Sequence, residues 1–260
     1  MNPSRRAFAA PLSAFVLHRW DWSESSLIVD LFTRERGRLA VVAKGAKRPY
    51  SQLRPVLIPF QRLQVQLGRA SADAATEVHL LRSAERAAGL PMPAAGTLLA
   101  GFHLNELLLA LLARQDPHEG LFDAYADAVA ALHAADEAGV QATLRGFELT
   151  LLRAVGVLPA LDQVTLTVRA LAAGQGYTLH PEAGVIAAAA GQAAPSAAAW
   201  RAIEAALAAG DGPALRAAVA PVAAALRAPL RGLLHYHLGS PQLRTRRVML
   251  ELHRLGRRAP

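Results

Sequence analysis

The sequence contains no cysteine, and this absence excludes two kinds of structure at once. A chain without thiols has no disulfide and no thiolate metal site, which suits a reducing cytoplasm. It also lacks a run of about twenty uninterrupted apolar residues, and this argues against a membrane-spanning helix. The first ten residues, MNPSRRAFAA, include two arginines but no apolar segment long enough for a signal peptide. We therefore expect a cytoplasmic protein.

The motifs of common enzyme classes are missing as well. No GxxxxGK[ST] segment is present, so the chain does not drive a reaction with a nucleotide through a P-loop. No GxSxG marks a nucleophile elbow, and GQG at 174–176 is too short for a dinucleotide fingerprint. His235, His237 and His253 lie close in sequence but lack further ligands for a metal. The sequence predicts a protein that is not an enzyme and holds no cofactor.

What the chain does contain is an uneven distribution of charge around a net value of +8. Residues 1–86 hold fourteen Lys/Arg against seven Asp/Glu, whereas residues 87–226 hold six against twelve. Residues 227–260 hold eight arginines against one glutamate. A genome rich in arginine explains why only two lysines occur, but it would spread the basic residues evenly. Two basic ends around an acidic middle favour a surface that binds a polyanion.

The first part of the chain alternates with the period of a β-strand. In the first strand Val16, His18, Trp20 and Trp22 are expected on one face, and Gly37 allows a later tight reversal. Five short strands within about eighty residues fit a small closed barrel of the OB type, which often binds single strands. The strands are predicted at about 12–20, 26–33, 38–44, 62–67 and 77–82.

A domain boundary is predicted at residues 87–93, where Gly89, Pro91 and Pro93 interrupt the pattern. The expected organisation is a nucleic-acid-binding barrel over 1–86 and an α-helical domain over 87–260. The apolar spacing becomes helical after the boundary, and three helices are expected before Pro159. The period is lost over about 160–194, which predicts an irregular insertion. Ser196 is then placed to cap a further helix.

Five segments of the chain together are typical of one protein family. They are FVLHRWDWSESSLIVDLFTRERGRLAVVAKGAKRPYS at 15–51, LRSAE at 81–85, NELL at 105–108, LRGFELTLL at 144–152 and LRTRRVMLEL at 243–252. On these residues the sequence resembles the RecO family of DNA repair and recombination mediators, over nearly its whole length. The resemblance implies an OB barrel followed by an α-helical domain with a small zinc-finger-like insertion.

The same resemblance implies a function without bond chemistry, in the RecFOR pathway of repair on the bacterial nucleoid. Members bind single-stranded DNA, anneal complementary strands and, with RecR, help to place RecA on strands coated by the single-stranded-DNA-binding protein. Many relatives carry a four-cysteine zinc site that opens with a C-x-x-C pair. Val164 and Thr167 stand where that pair would be, and His180 alone cannot hold zinc. We expect no zinc here, so the insertion needs ordinary packing to be ordered.

The predicted DNA contacts are mainly cations of the barrel. The family's AKGA(K/R) segment corresponds to a loop with three cations and a glycine that permits close approach of a backbone. Trp20, Trp22 and Tyr50 are candidates for stacking on bases, although a tryptophan on a barrel strand is more often packed in the core or between domains. The C-terminal arginines either extend the DNA track or pair with the acidic middle. The cationic candidates are Arg34, Arg36, Arg38, Lys44, Lys47, Arg48, Arg244, Arg246 and Arg247.

A second predicted site receives the acidic tail of the single-stranded-DNA-binding protein, which ends in an apolar residue. Such a groove needs an arginine beside an apolar pocket, because a buried carboxylate requires a charge partner. The family resemblance assigns this role to Arg145, with Leu144 and Phe147 beside it, and Arg227 and Arg231 are weaker candidates. The simpler alternative for Arg145 is a surface ion pair with Glu148 at i+3.

Two other functions fit the same sequence. One is an RNA-binding OB protein without a role in recombination, and the other is a helical scaffold with an incidental basic arm. Equal affinity for RNA would favour the first, and negligible nucleic-acid binding at low salt would favour the second.

Overall fold

The computed structural model describes residues 10–68, 78–87, 91–239, 243–245 and 248. Its contacts define two compact units. The first is Met1–Pro91 with Ala113–Phe122, and the second is Met92–Leu112 with Asp123–Pro260. The predicted boundary between residues 86 and 87 stays a prediction, because residues 88–90 lie outside the described chain.

The first unit is a closed five-stranded barrel, as the alternation of the sequence predicts. Neighbouring strands follow the order β1-β2-β3-β5-β4, with β3 and β5 parallel and the other pairs antiparallel. This is the arrangement of an OB barrel. The strands are β1 (Leu12–Asp21), β2 (Leu27–Thr33), β3 (Gly37–Ala43), β4 (Arg62–Leu67) and β5 (Val78–Arg86).

Branched and small side chains fill the barrel, because alternate residues of each strand point inward. Every strand contributes to this core; examples are Val16, Val29, Val41, Val65 and Leu81. The outer face of β1 and β2 also carries large apolar side chains. There Phe122 packs against Phe15 and Phe32, with ring centroids 5.1 and 5.4 Å apart.

A β-bulge changes which side chains of β1 point into the barrel and which point outward, compared with simple alternation. The register of β1 against β2 shifts between Val16 and His18. Val16 lies in the core, whereas His18 and Trp20 pair with Asp30 and Ile28 and are exposed. The predicted common face of Val16, His18 and Trp20 is therefore wrong, because a bulge adds a residue to one strand and turns the rest over.

The second unit is mainly helical, as predicted. Asp136, Ser196 and Asp211 cap α3, α4 and α5 by accepting a backbone N–H three residues later. The helices are α1 (Leu98–Leu111), α2 (Glu119–Ala131), α3 (Glu137–Ala154), α4 (Ala197–Ala209), α5 (Gly212–Val219) and α6 (Ala223–Leu238), and the first turn of α2 belongs to the first unit.

The stretch Gly212–Leu238 is long and apolar enough, by length and composition, to cross a membrane. It is not one regular helix. A 3₁₀ turn at Ala220–Val222 separates α5 from α6, and Pro229 lies inside α6. Leu226, Leu230 and Leu233 of this stretch are buried within the unit, which is the usual position of an amphipathic core helix.

The predicted irregular insertion consists of two small hairpins. They are β6 (Gln163–Val164) with β7 (Arg169–Ala170), and β8 (Tyr177–His180) with β9 (Gly184–Ala187). Val185 is fully buried, and its backbone N–H donates to the hydroxyl of Thr165 at 2.8 Å. Trp200 of α4 donates from its ring nitrogen to the carbonyl of Tyr177 at 3.0 Å. Hydrogen bonds and packing therefore order the insertion.

In the described part of the chain, no group of three His, Asp or Glu side chains is close enough to hold a metal ion. An arginine–carboxylate pair instead joins the start of the insertion to the helices. Arg153 donates to both oxygens of Glu204, at 2.9 and 2.7 Å, and the N–H of Leu161 donates to the same carboxylate at 2.8 Å. Burial alone would raise the pKa of Glu204, but these donors outweigh it and hold the pKa below its ordinary value.

Candidate nucleic-acid interface and peptide groove

The basic loop is tied to the turn between β1 and β2. The ammonium of Lys47 donates to the carbonyl of Ser23 at 3.1 Å and lies 3.3 Å from the carboxylate of Asp21. The backbone N–H of Lys47 donates to Ser25 at 2.9 Å. Gly45 has a φ of +72°, which a side chain would strain, so it allows the loop to fold back in this way. Both segments therefore lie at one end of the barrel.

Cations and aromatic rings are exposed together at this end. Lys44 and Arg48 are exposed, and so are Trp20, Trp22 and Tyr50, with 43%, 65% and 95% of their surface accessible. We call these five residues the barrel-end surface. The tryptophans are not packed inside the barrel, although that is the commoner position for such residues. Exposed rings offer faces for bases, and exposed cations offer contacts for phosphates.

The three arginines near the β2–β3 turn are not part of this surface. The turn lies at the opposite end of β2, and a strand of seven residues spans about 20 Å. Arg34 forms an ion pair with Glu119 at 2.6 Å. Arg36 is exposed, and His79 lies near it: burial, and then the charge of Arg36, lowers the pKa of His79. The predicted cluster is thus divided between two ends of the barrel.

Arg38 faces a buried acid of its own unit. Asp30 is only 2% exposed, and its burial raises its pKa, while the positive charges of Arg38 and Arg114 act in the opposite direction. The two-residue offset between Phe32, which pairs with Arg38, and Asp30 places both charged groups on the same strand face. Arg38 therefore lies close to a buried carboxylate of the barrel, and its predicted contact with a phosphate stays a prediction.

Two further arginines lie along the segment that leads into β4. Arg19 donates to the carbonyl of Leu57 at 3.2 Å, and Arg86 donates to the carbonyl of Pro55 at 3.1 Å. Both residues are exposed. Sequence reasoning did not select them, because they come from opposite ends of the barrel sequence and only the closure of the barrel brings them to one segment. They extend the positive charge available in the first unit.

A groove in the second unit contains most of the residues predicted to bind a protein tail. One face of α3 and one face of α6 form its walls, since positions three and four apart project in the same direction. Its cavity volume is about 100 Å³, which is smaller than a pocket that encloses a whole drug-sized ligand, and it is open to solvent on one side. We call it the α3–α6 groove, and its lining residues are His103, Gln141, Leu144, Arg145, Glu148, Arg227, Arg231, Leu234, His235 and Leu243.

The positive charge of the groove lies at two depths. Arg227 and Arg231 are exposed, whereas Arg145 is only 8% exposed and its guanidinium lies 2.8 Å from Glu148. Glu148 is itself 2% exposed. The i, i+3 ion pair considered from the sequence is therefore present, but it is buried and not a surface pair. Because a buried charge needs a partner, Glu148 keeps Arg145 inside the groove wall.

Two predicted members of these sites lie elsewhere. Phe147 does not line the α3–α6 groove: it is buried and packs against Tyr125, with ring centroids 6.0 Å apart. Phe147 follows Leu144 by three residues but Arg145 by only two, and residues two apart do not share a side of α3. Arg244 is exposed, and its backbone N–H donates to Glu106 at 2.6 Å. Arg246 and Arg247 lie outside the described residues.

Comparison of the sequence with protein families gives one match in each half of the chain. The family model described as Recombination protein O N terminal matches residues 11–84, and the one described as Recombination protein O C terminal matches residues 94–247.

The chain belongs to the RecO family.

The protein named DNA repair protein RecO from Variovorax paradoxus (strain S110) is 51% identical over 254 residues, which covers 93% of this chain and 96% of that relative. Proteins with the same name from Verminephrobacter eiseniae (strain EF01-2) and Acidovorax ebreus (strain TPSY) are each 50% identical, with the same coverage. These matches confirm the family that the sequence motifs indicate. They also confirm the barrel-plus-helices architecture expected for a RecO protein.

Proposed function

We propose that this RecO family member binds single-stranded DNA, anneals complementary strands and, with RecR, helps to load RecA onto strands coated by the single-stranded-DNA-binding protein. The observation that carries the proposal is the barrel-end surface, where Lys44 and Arg48 are exposed together with Trp20, Trp22 and Tyr50. A single strand offers phosphates and unstacked bases at the same time, and this surface has groups for both. A duplex offers mainly its phosphates.

The cations and the aromatic rings of the barrel-end surface have different roles in annealing. Two single strands repel each other through their phosphates, so a protein that pairs them must neutralise charge and keep the bases accessible. Cations that contact phosphates do the first, and aromatic faces that hold bases in sequence-tolerant stacks do the second. No bond is made or broken in this process, and the protein acts as a binding factor in the cytoplasm, on the nucleoid, without a cofactor.

The α3–α6 groove supports the second part of the proposal, the capture of the acidic tail of the single-stranded-DNA-binding protein. Arg227 and Arg231 at the rim suit acidic side chains, and Arg145 suits the terminal carboxylate. Leu144, Leu234 and Leu243 provide the apolar wall for a terminal apolar residue. Capture of the tail brings the protein to coated strands, where the barrel binds the DNA.

The experiment is a strand-annealing assay with bare and with coated complementary strands, each with and without a competing acidic tail peptide. We expect the peptide to inhibit annealing of coated strands and to leave bare strands unaffected. Equal inhibition of both would show that the peptide competes for the DNA surface. A parallel salt titration with single-stranded DNA, single-stranded RNA and duplex of equal length tests the alternative, because equal affinity for RNA would favour an RNA-binding OB protein without a recombination role.

A further inference from the structure

Two of the sequence segments typical of the family meet in the second unit, and the proposed functions do not account for their contact. They are NELL at 105–108, in α1, and LRTRRVMLEL at 243–252. Glu106 of the first segment accepts three hydrogen bonds from the second. The backbone N–H groups of Arg244 and Thr245 donate to its two side-chain oxygens at 2.6 and 2.9 Å, and the hydroxyl of Thr245 donates at 2.5 Å. One side chain thus fixes the backbone of the C-terminal segment on α1.

The contact is made by one side of α1. His103 and Glu106 are three residues apart and share that side, and Nδ1 of His103 lies 3.4 Å from the hydroxyl of Thr245. Asn105 points elsewhere, since it accepts a hydrogen bond from the hydroxyl of Tyr125 at 2.5 Å in the interior. Two successive backbone N–H groups and a neighbouring hydroxyl on one acceptor define both the position and the direction of the C-terminal segment.

Leu243 is the residue just before the two that Glu106 holds, and it lines the α3–α6 groove. Two other leucines of the groove wall, Leu144 and Leu234, are 5% and 4% exposed and are held by the packing of α3 and α6. Leu243 belongs to neither helix and is only half-buried. Its place in the wall therefore depends on the anchor that Glu106 gives to the residues after it.

Glu106 is not among the residues that line the groove, so its effect on a ligand must pass through Leu243. We infer that Glu106 is a positioning residue: it holds Leu243 in the groove wall and thereby sets the preference for an apolar residue at the C-terminus of the bound peptide. The inference rests on the proposed role of the groove in binding an acidic peptide. Arg227 and Arg231 act on the charge of the peptide, and Glu106 acts on the choice of its last residue.

The experiment uses the full chain and two fluorescent synthetic peptides that share several aspartates and differ only in the last residue, leucine or alanine. Affinity is measured by anisotropy at one pH and one salt concentration. Wild type should prefer the leucine peptide by at least about tenfold, because an apolar pocket discriminates a single methylene by roughly that factor. Leu243→Ala should reduce this preference by roughly fourfold, the effect of one buried methylene. Glu106→Ala should reduce it by the same factor, and the double variant should go no lower than either single variant.

Three further variants separate positioning from a general loss of structure. Glu106→Gln keeps one acceptor oxygen and should recover part of the preference. Arg231→Ala should weaken both peptides by the same factor and leave the preference intact, because it acts on the aspartates that both peptides share. Glu35→Ala removes a similar anchor in the barrel, where Glu35 accepts the backbone N–H of Ser13 at 3.0 and 3.2 Å, and it should match wild type.

The outcomes distinguish the inference from the groove function. If Glu106→Ala weakens both peptides equally and keeps the preference, Glu106 has a structural role only, and the inference is overturned while the groove function stands. A full preference in Leu243→Ala overturns it as well, because Leu243 would then not contact the last residue. If wild type binds neither peptide, the groove function falls together with the inference. Should Glu106→Ala not fold, an intermediate preference in Glu106→Gln supports the inference and a wild-type preference overturns it.

Discussion

The ammonium of Lys47 lies 3.3 Å from the carboxylate of Asp21 and donates to the carbonyl of Ser23, so the central cation of the basic loop is engaged by the β1–β2 turn at the end of the barrel. Its neighbours Lys44 and Arg48 are exposed. The three cations of one short segment therefore have different roles. Lys47 fixes the loop against the β1–β2 turn, whereas the side chains of Lys44 and Arg48 are accessible to solvent.

The first prediction compares Lys47 with its neighbours. Lys44→Ala and Arg48→Ala should each weaken binding of single-stranded DNA more than Lys47→Met does, because a cation already paired with a carboxylate contributes little to phosphate binding. Equilibrium titration at one fixed salt concentration measures this. If Lys47→Met causes the largest loss while its melting temperature is unchanged, the assignment of a structural role to Lys47 fails.

The second prediction concerns stacking. Trp22→Ala should weaken binding of single-stranded DNA by about 1–3 kcal/mol, the range for loss of one base–aromatic stack, and Trp22→Phe should recover part of it. Leu166→Ala is the control, since Leu166 is also an exposed apolar residue, at 72%, but lies in the insertion. Equal losses for Trp22→Ala and Leu166→Ala, or none for Trp22→Ala, would contradict a stacking role.

The third prediction separates the groove from the barrel. Arg231→Ala should weaken capture of an acidic tail peptide several-fold, with bare DNA affinity unchanged, because Arg231 lies at the rim and is exposed. Arg145→Ala should have a larger effect on the peptide, and it should also lower stability, since Glu148 would then be buried without its guanidinium partner. Peptide and DNA titrations on the same preparations measure both, and a loss of DNA affinity equal to the loss of peptide affinity would argue against separate sites.

The fourth prediction is a pH dependence of stability that involves Glu204. Its pKa is lowered in the folded protein, so the folded state binds fewer protons than the unfolded chain. Its contribution to stability is then present above the ordinary value of 4.5 and is lost as the pH falls through the folded pKa. Glu204→Gln should lower the free energy of unfolding near pH 7 by about 1–3 kcal/mol.

The difference between Glu204→Gln and wild type should shrink as the pH is lowered below 4.5. Urea unfolding at a series of pH values measures it. Asp211→Asn, at the cap of α5, is a useful comparison, because asparagine caps a helix about as well as aspartate. A difference for Glu204→Gln that is constant from neutral to acid pH would contradict the sign of the shift.

The barrel was predictable because inward-facing and outward-facing residues alternate along the strands. Gly37 also marks a tight turn at which any side chain would clash. Gly37 has a φ of +67°, and a Cβ there would collide with the carbonyl of Asp116. The bulge after Val16 was not predictable, since one extra residue in a strand leaves no mark in the apolar pattern. Nor does the sequence show that Asp30 would be buried near Arg38.

The two sites were predictable to different degrees, for reasons of topology. Lys44, Lys47 and Arg48 are neighbours in sequence and stay together, whereas Arg34 and Arg36 are close in sequence but lie across the length of β2. In the groove, Leu144 and Arg145 share one face of α3 with Glu148, whereas Phe147, two residues after Arg145, packs against Tyr125 instead. The sequence does not indicate that His103 belongs to the groove, because its partners, Glu148 and Thr245, are distant in the chain.

The central claim is that Lys44 and Arg48 meet the phosphates of a single strand, and the salt dependence of binding tests it most directly. Each phosphate neutralised on a single strand contributes about 0.7 to the slope of log affinity against log salt. The double variant that combines Lys44→Ala and Arg48→Ala should lower the magnitude of this slope by about 1.4 relative to wild type. The same slope in the double variant and in wild type would contradict it.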